Sequence, residues 1–124
     1  MNDEIWNRWM FNKNLSKKYY IDEISDKDKL TIHLSDDNEH SIIVIWDCIV
    51  ESYMCTEEIN RNRNYNVELT EWTFFEIHNS KYIQWLIEES DNILDRNGLH
   101  HICIVGANSI IDVIALEYPE IVDK

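Results

Sequence analysis

Leu99-His-His-Ile-Cys-Ile-Val105 and Ser109-Ile-Ile-Asp-Val-Ile-Ala-Leu116 are two apolar runs parted by Gly106-Ala107-Asn108. Gly106 and Asn108 both tolerate positive φ, which tight reversals need. The pattern predicts a β-hairpin with strands near 99–105 and 109–116. Both faces of each run are largely apolar, so the hairpin belongs inside a sheet.

Working outward, Asp95-Arg-Asn-Gly98 reads as the turn that feeds this hairpin. Before it, Asn79 or Ser80 is placed to cap a helix running to about Ser90. Tyr82, Ile83, Leu86 and Ile87 form its buried stripe, with Trp85 at the edge. Val67 to Ile77 reads as a strand, with Trp72 and Phe74 on one face and Thr73, Phe75 and Ile77 on the other. Residues 56–66 carry four Asn without periodicity and read as an exposed loop. Ser41 to Cys55 is a long apolar run whose even positions, Ile42, Val44, Trp46, Cys48, Val50 and Met54, predict a core face. Its length predicts a bulge or bend near Asp47–Glu51. Leu30, Ile32 and Leu34 alternate with polar residues as a half-buried strand. Residues 14–28 read as a loop anchored by Tyr19, Tyr20 and Ile24. Ile5, Trp6, Trp9 and Met10 mark one face of an N-terminal helix over residues 2–13. Pro119 is expected to end regular structure. The sum is one α+β domain over residues 1–124. It has a mainly antiparallel sheet of about five strands, an N-terminal helix and a helix before the C-terminal hairpin.

The formal charge of the chain is −13, unevenly spread. Residues 1–28 hold five Lys/Arg against six Asp/Glu, and residues 29–124 hold six against eighteen. Such a surface disfavours nucleic acid and anionic membranes and favours a basic partner. Three Cys without regular spacing fit a reducing compartment rather than a disulfide framework. No secretory leader and no apolar stretch of transmembrane length is legible. A cytoplasmic protein is expected.

The chemistry-bearing residues are few. His100 and His101 are neighbours, so on a strand they point to opposite faces. His101 and Cys103 share a face, but two donors do not make a zinc site, and no metal or cofactor is expected. Cys48, Cys55 and Cys103 read as small core residues. A Cys–His nucleophile lacks a Gly-framed turn or an oxyanion loop beside it. Asp112 sits between Ile111 and Val113 and needs a hydrogen-bonding partner if buried. Asp47 and Glu51 read as the polar half of an exposed strand. There is no Gly-rich phosphate loop, and Arg61 and Arg63 form a close basic pair inside an Asn-rich loop.

Trp72-x-Phe74-x-x-Ile77, Asn79-Ser80-x-Tyr82-x-x-Trp85, His100-His101 and Ile111-Asp112-Val113-Ile114-Ala115 together resemble small bacterial immunity proteins of contact-dependent and other polymorphic toxin systems. The resemblance spans roughly residues 29–120. It implies a cytosolic, non-catalytic α+β protein that binds and neutralises one cognate toxin domain. Such toxins are frequently basic nucleases. Two other readings stand beside it: a phage-encoded inhibitor, such as an anti-CRISPR protein imitating nucleic acid, and a small enzyme using His100 or His101 with a Cys or Asp.

Three acidic segments offer a docking surface: Asp36-Asp37-Glu39, Glu57-Glu58 and Glu88-Glu89-Asp91. Glu57 and Glu58 lie close along the chain to Asp47 and Glu51, with Tyr53 as an aromatic anchor of the kind hot spots favour. The expected partner-binding residues are therefore Asp47, Glu51, Tyr53, Glu57 and Glu58.

Overall fold

The computed structural model describes residues 3–9, 15–57, 71–91 and 98–124. Nine strands occur among them: β1 Ile5–Arg8, β2 Tyr20–Asp26, β3 Leu30–Ser35, β4 Ser41–Trp46, β5 Val50–Glu57, β6 Phe74–His78, β7 His100–Val105, β8 Ser109–Ala115 and β9 Glu120–Asp123. The one complete helix among the described residues, α1 Lys81–Glu89, lies between β6 and β7. Strand accounts for 54% of the described residues and helix for 10%. The protein is thus mostly β, with two antiparallel sheets, and not the two-helix α+β arrangement expected. One sheet has the order β1-β6-β7-β8-β5 and the other β2-β3-β4-β9.

The hairpin forms where expected. β7 and β8 pair from His100↔Ala115 to Val105↔Ile110 and are flanked by β6 and β5. Being central, they bury both faces, and Ile102, Cys103, Ile104, Ile111, Val113 and Ile114 are almost fully enclosed. The tip works differently from the expectation. Neither Gly106 nor Asn108 takes positive φ. Gly106 is needed for closeness instead, because a Cβ there would stand 2.9 Å from Cγ1 and Cδ1 of Ile21 and 3.0 Å from the Ser109 carbonyl oxygen. Asn108 completes the contact. Its Nδ2 donates to the Ile21 carbonyl and its Oδ1 accepts from the Ile21 amide, both at 3.0 Å. The Ala107 amide donates to the Tyr19 carbonyl at 2.8 Å. The hairpin tip is therefore bolted to the start of β2 in the other sheet.

Five further expectations are corrected. Residues 5–8 are strand, not helix. A short helix is marginal by itself, whereas β1 gains a ladder with β6 from Ile5↔His78 to Arg8↔Phe75. Trp6 then packs edge-on to Phe75 at 5.8 Å while Ile5 faces solvent. Residues 20–26 are not loop but β2, recruited by β3 with a register shift between Ile21 and Glu23. The run Ser41–Cys55 is not one strand. It breaks after Trp46, so that β4 pairs with β3 and β9, while β5 pairs with β8 in the other sheet. Pro119 is buried and leads into β9, which pairs with β4. The strand expected over Val67–Ile77 begins at Phe74. Residues 67–70, most of the loop expected at 56–66 and all but Gly98 of the expected 95–98 turn lie outside the described residues.

One hydrophobic cluster joins the sheets. Leu30, Ile32, Leu34, Ile42, Val44 and Trp46 enter it from one side, and Phe74, Ile102, Ile104, Ile111 and Val113 from the other. This is the interior of a β-sandwich. On the opposite face of the five-stranded sheet, the registers align Trp6, Ile77, His101, Ile114 and Ser52 in one row. Helix α1 lies against this row, where Tyr82 bonds Ser52 and sets its ring edge-on to His101 at 5.6 Å.

Candidate functional site

The expected partner-binding residues fall at the rim of the five-stranded sheet, where β5 is the last strand among the described residues. They do not share one strand face. Asp47 lies in the connector between β4 and β5 and makes an exposed ion pair with Lys29 at 2.8 Å. That hydrogen-bonded carboxylate holds the Lys29 ammonium above the usual lysine range. Glu51 sits at the register shift between Val50 and Ser52, which resets the alternation. Tyr53 and Glu57 do share a face of β5, while Met54 points to the other. Glu58 lies outside the described residues.

The fold adds residues that chain proximity did not reveal. Asp26 and Asp28, from β2 and the turn after it, line one hollow with Asp47 and Ile49. Ile49 is 80% exposed at this corner, and Tyr53 and Met54 are both exposed further along β5. The rim therefore carries apolar side chains among carboxylates. Trp85 on α1, 53% exposed, extends the apolar surface beside Tyr82, with ring centroids 6.1 Å apart. Its position at the edge of the helical stripe was the only sequence signal for this. The Asp36-Asp37-Glu39 segment has a structural task. Asp36 Oδ1 accepts from the amides of Asn38 and His40 at 2.8 and 2.9 Å, and the hydroxyl of Ser16 also donates to the carboxylate. Those donors, Ser16 first, hold the Asp36 carboxyl below the usual range.

Beneath α1 lies a buried polar chain. Ser80 caps the helix, its Oγ accepting from the Ile83 amide at 3.0 Å. The same Oγ is 2.7 Å from His101 Nδ1, and His101 Nε2 is 2.7 Å from Asp112 Oδ1. All three side chains are at least nine-tenths buried. The carboxylate accepts from Nε2, and Nδ1 and the Ser80 hydroxyl share the second hydrogen bond. Asp112 thus has the partner its apolar surroundings demand. The register explains how it meets His101: Asp112 is opposite Cys103, one row along the same face from His101. A cavity of about 240 Å³ between Trp6, Met54 and Tyr82 reaches His101 and Asp112.

Ser, His and Asp in this order of bonding invite comparison with a hydrolytic triad. A nucleophile needs an accessible Oγ and free donors for the developing oxyanion. Here Ser80 Oγ is committed to the Ile83 amide, and the Lys81 amide donates to Glu4 Oε2 at 2.8 Å. The arrangement serves as a lock between helix and sheet.

His100, on the opposite face, belongs to a second cluster. The Tyr118 hydroxyl donates to Glu76 Oε2 at 2.7 Å, and His100 Nδ1 is 3.3 Å from the same oxygen. The His100 and Tyr118 rings stack at 4.1 Å, and Trp9 lies 5.4 Å from Tyr118. Burial, reinforced by the Glu76 carboxylate, pushes the Tyr118 hydroxyl up to about 12. Glu76, His100 and Tyr118 border a cleft of about 640 Å³ that also touches Asp3, Leu99 and the start of α1. Glu76 carried no sequence signal, since its partners come from β7 and from the segment before β9.

Among the described residues, no group of three or more His, Cys, Asp or Glu is placed to hold a metal ion. Cys103 is buried, Cys48 half-buried and Cys55 exposed, and none of the three forms a disulfide among the described residues. No described helix is long and apolar enough to cross a membrane. No family model, curated protein or solved structure matches this chain.

Proposed function

We propose that the protein is a cytoplasmic, non-catalytic immunity protein that neutralises a basic toxin domain, docking it along β5 and the connector before it. One observation carries this reading. Exposed Ile49, Tyr53 and Met54 lie among Asp47, Glu51 and Glu57 along β5, which ends its sheet among the described residues, and the connector before it. Apolar anchors ringed by carboxylates suit a basic, partly apolar partner. The charge of −13 supports the same reading by favouring rapid encounter with a cation-rich surface. Asp26 and Asp28 add to the carboxylates already expected.

Calorimetry of the full chain against candidate basic toxin domains, at several salt concentrations, tests the proposal. Binding that weakens with salt, and whose dissociation quickens in Tyr53→Ala, is the expected outcome. Binding indifferent to Tyr53 and Glu57 but abolished by Glu88→Lys or Asp36→Lys would move the interface elsewhere. Failure to bind any basic domain would overturn the reading.

A further inference from the structure

We propose that the cleft between β6, Tyr118 and the first turn of α1 binds an alkylammonium or alkylguanidinium group, with Glu76 as the receiving carboxylate. The cleft's volume of about 640 Å³ is that of an ordinary small-ligand pocket. The Glu76 side chain is only 17% exposed, yet no lysine or arginine among the described residues pairs with it. Its two partners there, the Tyr118 hydroxyl and His100 Nδ1, both address Oε2. Oε1 accepts no hydrogen bond from the described residues. Glu76 lines the cleft, so its second carboxylate oxygen is left to accept from an entering cation.

The walls suit such a guest. Ile77, Ile83 and Leu99 flank an alkyl stem, and Asp3 places a second carboxylate in the lining. Lys81 is the one lysine or arginine there, so the lining charge remains negative. The stack of His100 on Tyr118, backed by Trp9, holds the Tyr118 hydroxyl on Oε2 and fixes the carboxylate's orientation. The overall charge of −13 raises the local concentration of cations. β7 and β8 separate β6 from β5 in the sheet, so this inference stands apart from docking at β5. The cation is either a side chain of a partner protein or a free small molecule.

The test is a titration of the full chain, followed by NMR, with N-acetyl-arginine amide, N-acetyl-lysine amide, butylguanidine and the neutral isostere N-acetyl-citrulline amide. The cationic probes are expected to bind at roughly millimolar concentration, shifting the His100 and Tyr118 ring resonances, with citrulline about tenfold weaker or worse. Glu76→Gln is expected to lose about tenfold while keeping the circular dichroism of the folded chain. If that variant does not fold, Asp3→Asn in the exposed part of the lining gives a second reading, with a smaller loss expected. Tighter binding of arginine amide than of butylguanidine identifies a partner's side chain as the guest, and the reverse identifies a free cation. Equal binding of citrulline, shifts confined to residues away from Glu76, or no shift at about 20 mM probe overturns the proposal.

Discussion

Gly106 shows how one absent atom lets two sheets meet. Any side chain there would press on Cγ1 and Cδ1 of Ile21 and on the Ser109 carbonyl. The backbone oxygen cannot rotate away, so Gly106→Ala is expected to cost about 1–3 kcal/mol. Urea denaturation would show this as a lower midpoint with an unchanged slope. Tyr118 gives a second residue-level test. Its hydroxyl rises from the ordinary 10.0 to about 12 through burial and Glu76. The folded chain therefore holds that proton more tightly than the unfolded chain. The stabilisation is complete below about pH 10 and is lost as pH rises through about 12. An ultraviolet titration of tyrosinate should lack this late transition in Tyr118→Phe and show it earlier in Glu76→Gln.

At the scale of elements, α1 is held by its first turn. Ser80 satisfies the Ile83 amide and His101 together, and Asp112 satisfies the other side of the imidazole. Ser80→Ala removes the cap, worth about 1 kcal/mol. It also leaves a buried imidazole nitrogen unpaired, worth about 1–3 kcal/mol. Hydrogen exchange should quicken in α1 by more than in β3 and β4, which share no bond with Ser80. Asp112→Asn is expected to act in the same direction, since the amide replaces an ionised acceptor with a neutral one. Equal quickening across both sheets would mean that Ser80 supports the whole molecule and not the helix alone.

At the scale of the molecule, the proposed docking assigns the kinetics of encounter to charge and residence to apolar contact. Reversing Glu57 to Lys is expected to slow association with a basic partner and flatten its salt dependence, leaving dissociation nearly unchanged. Tyr53→Ala is expected to do the opposite, because a half-exposed aromatic contributes contact once desolvated. Stopped-flow mixing at low and moderate salt separates the two. The test belongs to the whole chain because Asp26 and Asp28 reach this rim from the other sheet.

Local patterns by themselves determined the β7–β8 hairpin, the alternation of β3 and β4 and a cap for α1 at Asn79 or Ser80, of which the structure uses Ser80. Strand alternation and helix capping are written within a few consecutive residues, so they survive without knowledge of the partner. The same logic failed at residues 5–8 and 20–26, where short amphipathic or polar segments have no strong preference of their own. There the open edges of β6 and β3 supplied the hydrogen bonds and decided for strand. An interruption near Asp47–Glu51 was legible from the length of the run and is found there, but that it divides two sheets was a tertiary decision. Ile42, Val44 and Trp46 were legible as core, but which sheet the next residues join depends on β8, some sixty positions away. The same holds for the sites. Asp112 was recognisable as a carboxylate in need of a partner, whereas its meeting with His101 and Ser80, and Glu76's with Tyr118, required the strands to align. A side chain's chemistry is fixed by its own residue, but its hydrogen-bond partners are chosen by strand register, and register is settled only when the sheets pair and pack.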